Sequence, residues 1–469
     1  MASSSAMTSN VSTTPKRIAL IAGPLLAVLS AYLMSTAGFS NDAAVTLGIT
    51  IICVVWWVFE PIPIPATSLI PLAVLPLLGV LTPEEIAESY GHSLILLLLG
   101  GFILATALEK NGAHRRIALA MVRAFGGGSS RALVFGFMAA SALLSMWISN
   151  TATTLMLLPV ALAVLEKSED PKLATPLLLG IAYASSIGGI GTPIGTPPNI
   201  VFMGVYEATT GESIPFVTWM VWAVPIVVVF LPAMAFYLTR HLTYEGRVAL
   251  PKVGAWQAGE VRVLLVFALT ALCWITRSEP FGGWTALFGL SVTNDAMVAL
   301  LAVVVMFLIP DGEGGRLLDW ETAERIPWGM LILFGAGIAI ASAYTASGLS
   351  ETIGSGLSGL SGLPVLLVMF VICLAVTFLT ETTSNTATTT LLMPILAAGA
   401  IGAAIDPRLL MIPAAMSASC AFMLPVATAP NVIMFSTGHF SIETMAREGF
   451  ALNLIGAVII SVGCYLVLV

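Results

Sequence analysis

Charged residues are scarce in this sequence. Of its 469 residues, 58% are hydrophobic and only 9% are Asp, Glu, Lys or Arg, whereas soluble globular proteins carry roughly 25% charged residues. So little charge cannot cover the surface of a soluble globular domain, which excludes that class. The composition indicates an all-α polytopic membrane protein. We expect it in the plasma (inner) membrane, in contact with lipid and with no nucleic-acid partner.

Cysteine and histidine are also scarce, and neither forms a cluster. The five cysteines have no paired spacing and no histidine nearby, which is typical of small core residues and excludes a disulfide or metal framework. They are Cys53, Cys273, Cys373, Cys420 and Cys464. A phosphate-binding Gly-x-x-x-x-Gly-Lys-Ser/Thr run is missing from the sequence, so nothing supports pumping driven by ATP.

Long apolar runs, in contrast, recur along the whole chain. A helix that crosses a bilayer needs about 20 apolar residues, and the sequence predicts eleven such spans. They are 18–39, 44–58, 66–81, 93–108, 177–203, 216–238, 263–275, 294–309, 328–344, 409–435 and 450–469. Two further segments, 132–165 and 363–403, are too long for single crossings and are interrupted halfway by a polar motif. Each predicts a re-entrant helical hairpin that enters and leaves by one face of the membrane.

The polar motif in these two segments is the same. Residues 149–159 and 384–394 are identical at eight of eleven positions, and both begin with Ser-Asn-Thr-Ala-Thr-Thr and end with Pro. Hydroxyl and amide groups within apolar sequence cost free energy unless something binds to them. The duplication therefore predicts one polar binding site built from two matching parts.

The positions of Lys and Arg predict the topology. With a cytoplasmic amino terminus, sixteen of the eighteen Lys and Arg residues lie in cytoplasmic segments and only Arg277 and Arg408 lie outside. Short cytoplasmic loops are enriched in Lys and Arg, so the carboxyl terminus is expected outside. The loop expected at 110–131, before the first motif, holds five basic residues, and the loop expected at 345–363, before the second, holds none. The two hairpins are therefore expected to enter from opposite sides.

The duplication extends beyond the hairpins. Four small residues recur 236 positions later, and 195–199 (Gly-Thr-Pro-Pro-Asn) reappears as 427–431 (Ala-Thr-Ala-Pro-Asn). An inverted-topology repeat is typical of secondary transporters, whose sites lie near the midplane where helices are broken. The predicted units are scaffold helices in 1–131, first-repeat transport elements in 132–240, a connecting arm and scaffold helices in 241–362, and second-repeat transport elements in 363–469.

The residues at the breaks favour a cation site beside an anion site. Proline removes amide donors and frees carbonyl groups, which together with Asn and hydroxyl oxygens suit a small alkali cation. Helix amino termini suit an anion. Since no Lys or Arg lies near either Ser-Asn-Thr within the apolar segments, co-bound Na+ would offset the charge of an anionic substrate. Glu381 either hydrogen-bonds a helix break or takes part in coupling.

With its two Ser-Asn-Thr motifs, each followed by a Thr-x-Pro-Asn break, the chain resembles the divalent anion:sodium symporters, the sodium-dependent dicarboxylate transporters. The resemblance implies a homodimer and an elevator movement of a transport domain against a scaffold. It implies one Na+ site at Ser145, Ser149, Asn150 and Gly195, and a second at Thr380, Thr383, Asn385 and Ala427. The implied substrate contacts are Ser149, Asn150, Thr151 and Thr196 in one repeat and Ser384, Asn385, Thr386 and Thr428 in the other.

The first functional hypothesis is Na+ symport of a C4-dicarboxylate such as succinate, malate or fumarate. Transport of citrate, tartrate or sulfate, or anion exchange, on the same fold stays open, although an exchanger would be expected to carry a fixed positive charge at the site. A channel is a further alternative. An intramembrane hydrolase using Ser149 or Ser384 would need a nearby base, and neither hairpin holds His or Lys within its apolar part. We therefore expect no enzyme.

Overall fold

The structure is a computed structural model that describes residues 13–125, 129–243, 254–277, 282–290, 292–356 and 362–469. These residues are mainly helical, as the composition predicts. The helices are α1 (Thr13–Thr36), α2 (Asn41–Phe59), α3 (Ile64–Thr67), α4 (Leu69–Leu77), α5 (Pro83–Tyr90), α6 (Ser93–Lys110), α7 (Ala113–Phe125), α8 (Ser130–Ser145), α9 (Asn150–Leu165), α10 (Ala174–Ile190), α11 (Pro197–Thr210), α12 (Phe216–Leu238), α13 (Ala258–Ile275), α14 (Gly283–Leu287), α15 (Asp295–Leu308), α16 (Trp320–Ala323), α17 (Trp328–Ser347), α18 (Leu349–Gly356), α19 (Val365–Thr380), α20 (Asn385–Gly402), α21 (Pro407–Ser417), α22 (Ala429–Phe435) and α23 (Ile442–Leu468).

Seven helical stretches among the described residues are long and apolar enough to cross a membrane. They are Pro15–Thr36, Asn41–Phe59, Pro83–Lys110, Phe216–Leu238, Ala258–Ile275, Trp328–Ser347 and Ile442–Leu468. Shorter apolar helices include α8, α9, α10, α15 and α19. The chain is thus a multi-pass membrane protein, as predicted, while the number of crossings and the re-entrant path of the hairpins stay predictions.

Each polar motif lies where two helices of a hairpin meet. In the first hairpin α8 and α9 each have 16 residues, or about 24 Å of helix, which is shorter than the roughly 30 Å hydrocarbon core. Ser149 ends the turn between them, because its hydroxyl accepts the backbone N–H of Ala152 at 3.2 Å. Ser384 does the same for α20 through Ala387 at 3.0 Å. The serine of each motif is therefore a helix N-cap.

The Thr-x-Pro-Asn sequences lie at the second pair of breaks. One break separates α10 from α11 and the other separates α21 from α22, and proline in the first turn favours the new helix start. The side-chain amides of Asn199 and Asn431 donate to backbone carbonyls that the preceding half-helices leave free. The acceptors are Gly189, Ile190 and Thr192 for Asn199, at 2.7–3.3 Å, and Ala421 and Leu424 for Asn431, at 2.9 and 3.0 Å.

The two segments interpreted as loops before the motifs, 110–131 and 345–363, each contain a helix, α7 and α18 respectively. Residues Ala113–Phe125 form α7 because their pattern is amphipathic: Ala113 and Val122 are buried, whereas Arg115 and Arg123 are not. Arg116 on this helix pairs with Glu260 of α13 at 2.7 Å, and both side chains are about nine-tenths buried. The interpretation of 110–131 as a loop is therefore wrong for residues 113–125, because their arginines obscure the apolar face of the helix in the sequence. Part of the predicted connecting arm, 244–253, lies outside the described residues.

The packing of α8 against α10 leaves no room for a side chain at Gly188. A Cβ atom there would lie 2.2 Å from the carbonyl oxygen of Ala142. We therefore expect Gly188→Ala to lower the free energy of unfolding by at least about 2 kcal/mol, measured as a lower thermal midpoint of the purified protein in detergent. Gly180→Ala on the same helix is the control, since its Cβ would meet only the flexible side chain of Met138 at 3.0 Å. Equal midpoints for the two variants would contradict this account.

Candidate transport site

The two hairpin tips and the two helix breaks surround one cavity of about 520 Å³. Nine of the thirteen predicted site residues line it. They are Ser149, Asn150, Thr151, Gly195, Thr196, Asn385, Thr386, Ala427 and Thr428. Its other walls include residues of α6, among them Glu109, and the segment 325–330 that leads into α17, among them Arg325. The structure thus brings the two repeats together at a single place, although they are more than 200 residues apart in sequence.

Helix amino termini converge on this cavity. The first turns of α9, α11 and α20 contribute lining residues, and so does the start of the short helix α22. A helix amino terminus carries a partial positive charge and unpaired N–H groups, and so attracts anions. Pro197 and Pro198 lack an N–H, so the first two residues of α11 offer no amide donor, whereas α9 and α20 begin with residues that have one and α22 has one at Ala429. This arrangement suits an anion with two separated negative groups.

Fixed charge is nearly missing from the cavity. Among the described residues that line it, Arg325 is the one cation and Glu109 the one anion. Arg325 donates to Glu321 at 2.6 Å, and its side chain is 66% exposed. Because an exposed ion pair of this kind contributes little, an anion bound at the Ser-Asn-Thr motifs would need its charge offset by another bound ion.

A pair of oxygens suited to a cation lies beside the first motif. The hydroxyl of Ser145 donates a hydrogen bond to Asn150 Oδ1 at 2.5 Å, and we call these two oxygen atoms the first oxygen pair. A Cβ atom on Gly189 would lie 2.9 Å from Asn150 Oδ1 and 3.0 Å from the carbonyl oxygen of Gly195. Two of the four residues predicted for this Na+ site, Asn150 and Gly195, therefore meet beside a glycine that leaves the space between them open, and Ser145 contacts Asn150.

The second repeat reproduces this geometry. Thr380 Oγ1 lies 2.7 Å from Asn385 Oδ1, forming the second oxygen pair, and 3.0 Å from the carbonyl oxygen of Ala418. Thr380 is fully buried. Carbonyl, amide and hydroxyl oxygens are the ligands that broken membrane helices offer to Na+. Both predicted cation sites therefore contain the same Asn and hydroxyl combination, one in each repeat.

Four predicted site residues do not line the cavity. Ser145 and Thr380 lie behind it in the oxygen pairs. The hydroxyl of Thr383 lies 3.0 Å from the Leu379 carbonyl and faces α2, so only its backbone carbonyl is left for a cation. Ser384 and its counterpart Ser149 both cap their helices and are exposed, but only Ser149 lines the cavity. The two motifs are thus alike in sequence but not equally placed around the cavity.

Asn199 and Asn431, the last residues of the two Thr-x-Pro-Asn motifs, close the helix breaks described above. One further polar residue of this region is not marked by any sequence motif. Asn453 in α23 is fully buried and donates to Glu381 at 2.8 Å. Its only sequence signal is a single amide within an apolar run. Glu381 itself accepts hydrogen bonds at the break between α21 and α22, which favours the first of the two roles considered for it.

A helical membrane protein in which two repeats enclose one polar cavity with hairpin tips and helix breaks has the architecture of a secondary transporter. Two solved transporter structures share its fold. MtrF of Neisseria gonorrhoeae matches 97% of this chain and 95% of its own with a TM-score of 0.61 and 14% identity. The YdaH transporter of Alcanivorax borkumensis matches 82% of this chain and 87% of its own with a TM-score of 0.55 and 13% identity. At these identities the likeness concerns the fold alone.

The chain belongs to the family described as the sodium:sulfate symporter transmembrane region, whose model matches residues 15–467. Relatives include a sodium-dependent dicarboxylate transporter, SdcS, of Staphylococcus saprophyticus, which is 41% identical over 96% of this chain and 90% of its own length. SdcS of a bovine strain of Staphylococcus aureus is 40% identical over 96% of this chain and 91% of its own. The predicted membership among divalent anion:sodium symporters is confirmed.

Proposed function

We propose that this protein imports C4-dicarboxylates such as succinate, malate and fumarate together with Na+ across the plasma membrane. The observation that carries the proposal is the meeting of both Ser-Asn-Thr helix starts at one cavity, with an oxygen pair beside each. A dicarboxylate would place one carboxylate at each motif. The names of the relatives, sodium-dependent dicarboxylate transporters, support the same substrate and coupling ion.

Each group in the cavity has a role in this proposal. The backbone N–H groups of Asn150, Thr151, Asn385 and Thr386 and the hydroxyls of Thr151 and Thr386 donate to the carboxylates, because these residues form the first turns of α9 and α20. Na+ ions at the two oxygen pairs offset the negative charge. Binding of each ion is then stabilised by the other, so dicarboxylate binding requires Na+. Moving the dicarboxylate together with its bound Na+ past apolar surfaces costs less free energy than moving either ion alone, because their charges offset each other.

The proposed movement is of elevator type. The transport domain would comprise 132–240 and 363–469, and the scaffold would comprise 1–131 and 241–362, with two copies joined through their scaffolds. Glu109 and Arg325 mark the open end of the cavity, and both lie on the cytoplasmic side in the predicted topology. The arrangement therefore corresponds to an inward-facing state, with the amino terminus inside and the carboxyl terminus outside.

Anion exchange is the main alternative function, and substitution of Arg325 tests it. An exchanger would use a fixed positive charge to hold its substrate, whereas the exposed and paired Arg325 should contribute little. We expect Arg325→Ala to change the KM for succinate by less than about fivefold, the effect of roughly 1 kcal/mol. Uptake kinetics in proteoliposomes measure it, with Arg325→Lys as the charge-preserving control. If the KM for succinate rises well above tenfold in the alanine variant and not in the lysine variant, the positive charge of Arg325 takes part in substrate binding.

A hydrolase is less well supported than a transporter. Among the described residues that line the cavity there is no His or Lys that could activate Ser149, and the family relatives are transporters.

The decisive experiment is uptake of radiolabelled succinate into proteoliposomes that contain the purified protein. An inward Na+ gradient should drive accumulation, K+ should not replace Na+, and malate and fumarate should compete. Uptake that depends on succinate loaded inside the vesicles and not on Na+ would show an exchanger. Competition by citrate or sulfate with no response to succinate would assign a different anion to the same fold.

A further inference from the structure

Backbone between α21 and α22 is held by a buried carboxylate outside the cavity. Glu381 accepts hydrogen bonds from the backbone N–H groups of Phe422 at 2.6 Å, Met423 at 2.9 Å and Leu424 at 3.0 Å. Its side chain is buried, with the residue only 4% exposed. Three consecutive amides that lack a helical partner are thus satisfied by one side chain. The stretch 422–424 is therefore fixed to the tip of the second hairpin.

Two more side chains from distant parts of the chain complete the arrangement. Asn453 of α23 donates to Oε1 of Glu381 at 2.8 Å, and the hydroxyl of Tyr183 in α10 donates to the carbonyl oxygen of Phe422 at 2.6 Å. Tyr183 and Asn453 are both fully buried. We call Tyr183, Glu381 and Asn453 the clamp. It joins a first-repeat helix, the second hairpin and the last helix at one short piece of backbone.

The final helix also holds this backbone by close packing. A Cβ atom on Gly449 would lie 2.2 Å from the carbonyl oxygen of Phe422 and 2.6 Å from the backbone nitrogen of Met423. The absence of a side chain at Gly449 lets α23 approach closely enough for Asn453, four residues later on the same helix face, to reach Glu381. The clamped stretch therefore has little freedom to shift.

The clamped backbone leads directly to the proposed second Na+ site. Ala427 and Thr428, which line the cavity, follow Leu424 within four residues. At the other end of the clamp, Glu381 is the residue after Thr380, whose hydroxyl belongs to the second oxygen pair. The clamp thus fixes both sides of this site relative to each other. Tyr183, Glu381 and Asn453 do not themselves line the cavity.

Tyr183 also connects this region with the first oxygen pair. It lies on α10 six residues before Gly189, about 9 Å along the helix axis. Gly189 borders the Asn150 amide oxygen and the Gly195 carbonyl oxygen. α10 is buried from Leu177 to Ile190, and a buried helix transmits small displacements because packed interiors deform little.

We propose that Tyr183, Glu381 and Asn453 are positioning residues for the second Na+ site, and that Tyr183 makes Na+ binding there dependent on the first site. The proposal rests on the proposed Na+-coupled function. The clamp sets where the Ala427 carbonyl stands relative to Asn385. Its loss therefore weakens Na+ binding and leaves the carboxylate contacts of the Ser-Asn-Thr motifs in place.

Tyr183→Phe tests the proposal, because it keeps the ring and removes only the hydroxyl. We expect the Na+ concentration for half-maximal succinate uptake to rise about fivefold, as for the loss of one buried hydrogen bond, and the Hill coefficient for Na+ to fall. The KM for succinate at saturating Na+ should change less than about twofold. Asn453→Ala should act in the same direction. Tyr206→Phe is the matched control, since Tyr206 donates to Glu212 at the far end of α11.

A second readout follows Na+ binding without transport. Na+ should raise the thermal midpoint of the purified wild type, and Tyr183→Phe should need about fivefold more Na+ for the same rise. An unchanged Na+ dependence in a folded Tyr183→Phe variant would contradict the positioning role of the clamp, even if the yield or the thermal midpoint of the variant falls. A wild type that neither takes up succinate nor responds to Na+ would overturn the proposed function and the clamp with it. A Na+ response without succinate uptake would contradict only the proposed substrate. The thermal assay would still test whether the clamp positions the second Na+ site.

Discussion

Gly189→Ala is expected to reduce Na+-driven succinate uptake by at least about 100-fold, equivalent to roughly 2.7 kcal/mol. The added methyl group would stand 2.9 Å from Asn150 Oδ1 and 3.0 Å from the Gly195 carbonyl oxygen. The first distance is shorter than a Cβ atom tolerates and the second is a tight contact, so the methyl group would occupy the space between the two oxygens and keep them from one cation. Initial uptake rates in proteoliposomes, measured over a range of Na+ concentrations, report the loss.

The control is Gly180→Ala, which places the same methyl group on the same helix but against the flexible side chain of Met138. It should fold and transport with nearly wild-type rates. Folding of Gly189→Ala is checked by its elution in gel filtration and by its thermal midpoint without Na+. A correctly folded Gly189→Ala variant that keeps full uptake at low Na+ would show that the space beside Gly189 holds no cation.

The features that local sequence determines were predicted successfully. Apolar runs mark the helices, because length and hydrophobicity suffice for a membrane span. The Ser-Asn-Thr motifs mark the hairpin tips, because a serine followed by an apolar run is a helix start wherever it lies. Helix α7 is not evident from the sequence, because Arg115, Arg116 and Arg123 give the segment the charge of a loop. Its apolar face becomes apparent only where it packs against the rest of the protein.

Features that depend on distant contacts could not be predicted. Tyr183 and Phe422 meet across 239 positions, and nothing near either residue in the sequence indicates the other. The unequal placement of Ser149 and Ser384 has a similar cause. Their sequence surroundings are nearly identical, but the rest of the fold places only Ser149 in the cavity wall. Duplicated sequence therefore predicts duplicated local geometry and not an equal share of the binding site.

Asn150→Ala and Asn385→Ala should each lower Na+-driven uptake at least about 100-fold. Each asparagine supplies its amide oxygen to an oxygen pair, at 2.5 Å from Ser145 and 2.7 Å from Thr380, and each also begins a helix whose first turn faces the cavity. One substitution therefore removes a cation ligand and disturbs a carboxylate contact. Because Na+ and dicarboxylate stabilise each other's binding, we expect both the Na+ requirement and the KM for succinate to rise.

Asn41→Ala is the control for these substitutions, since Asn41 also stands at the first position of a helix but is exposed at the start of α2. It should leave uptake unchanged. The two site variants should still fold, because the N-cap hydroxyls of Ser149 and Ser384 remain. If both variants are folded and transport normally, the repeated motif only shapes the hairpin tips. If only Asn150→Ala fails, the first oxygen pair alone couples Na+ to the substrate, and the symmetric two-site arrangement is wrong.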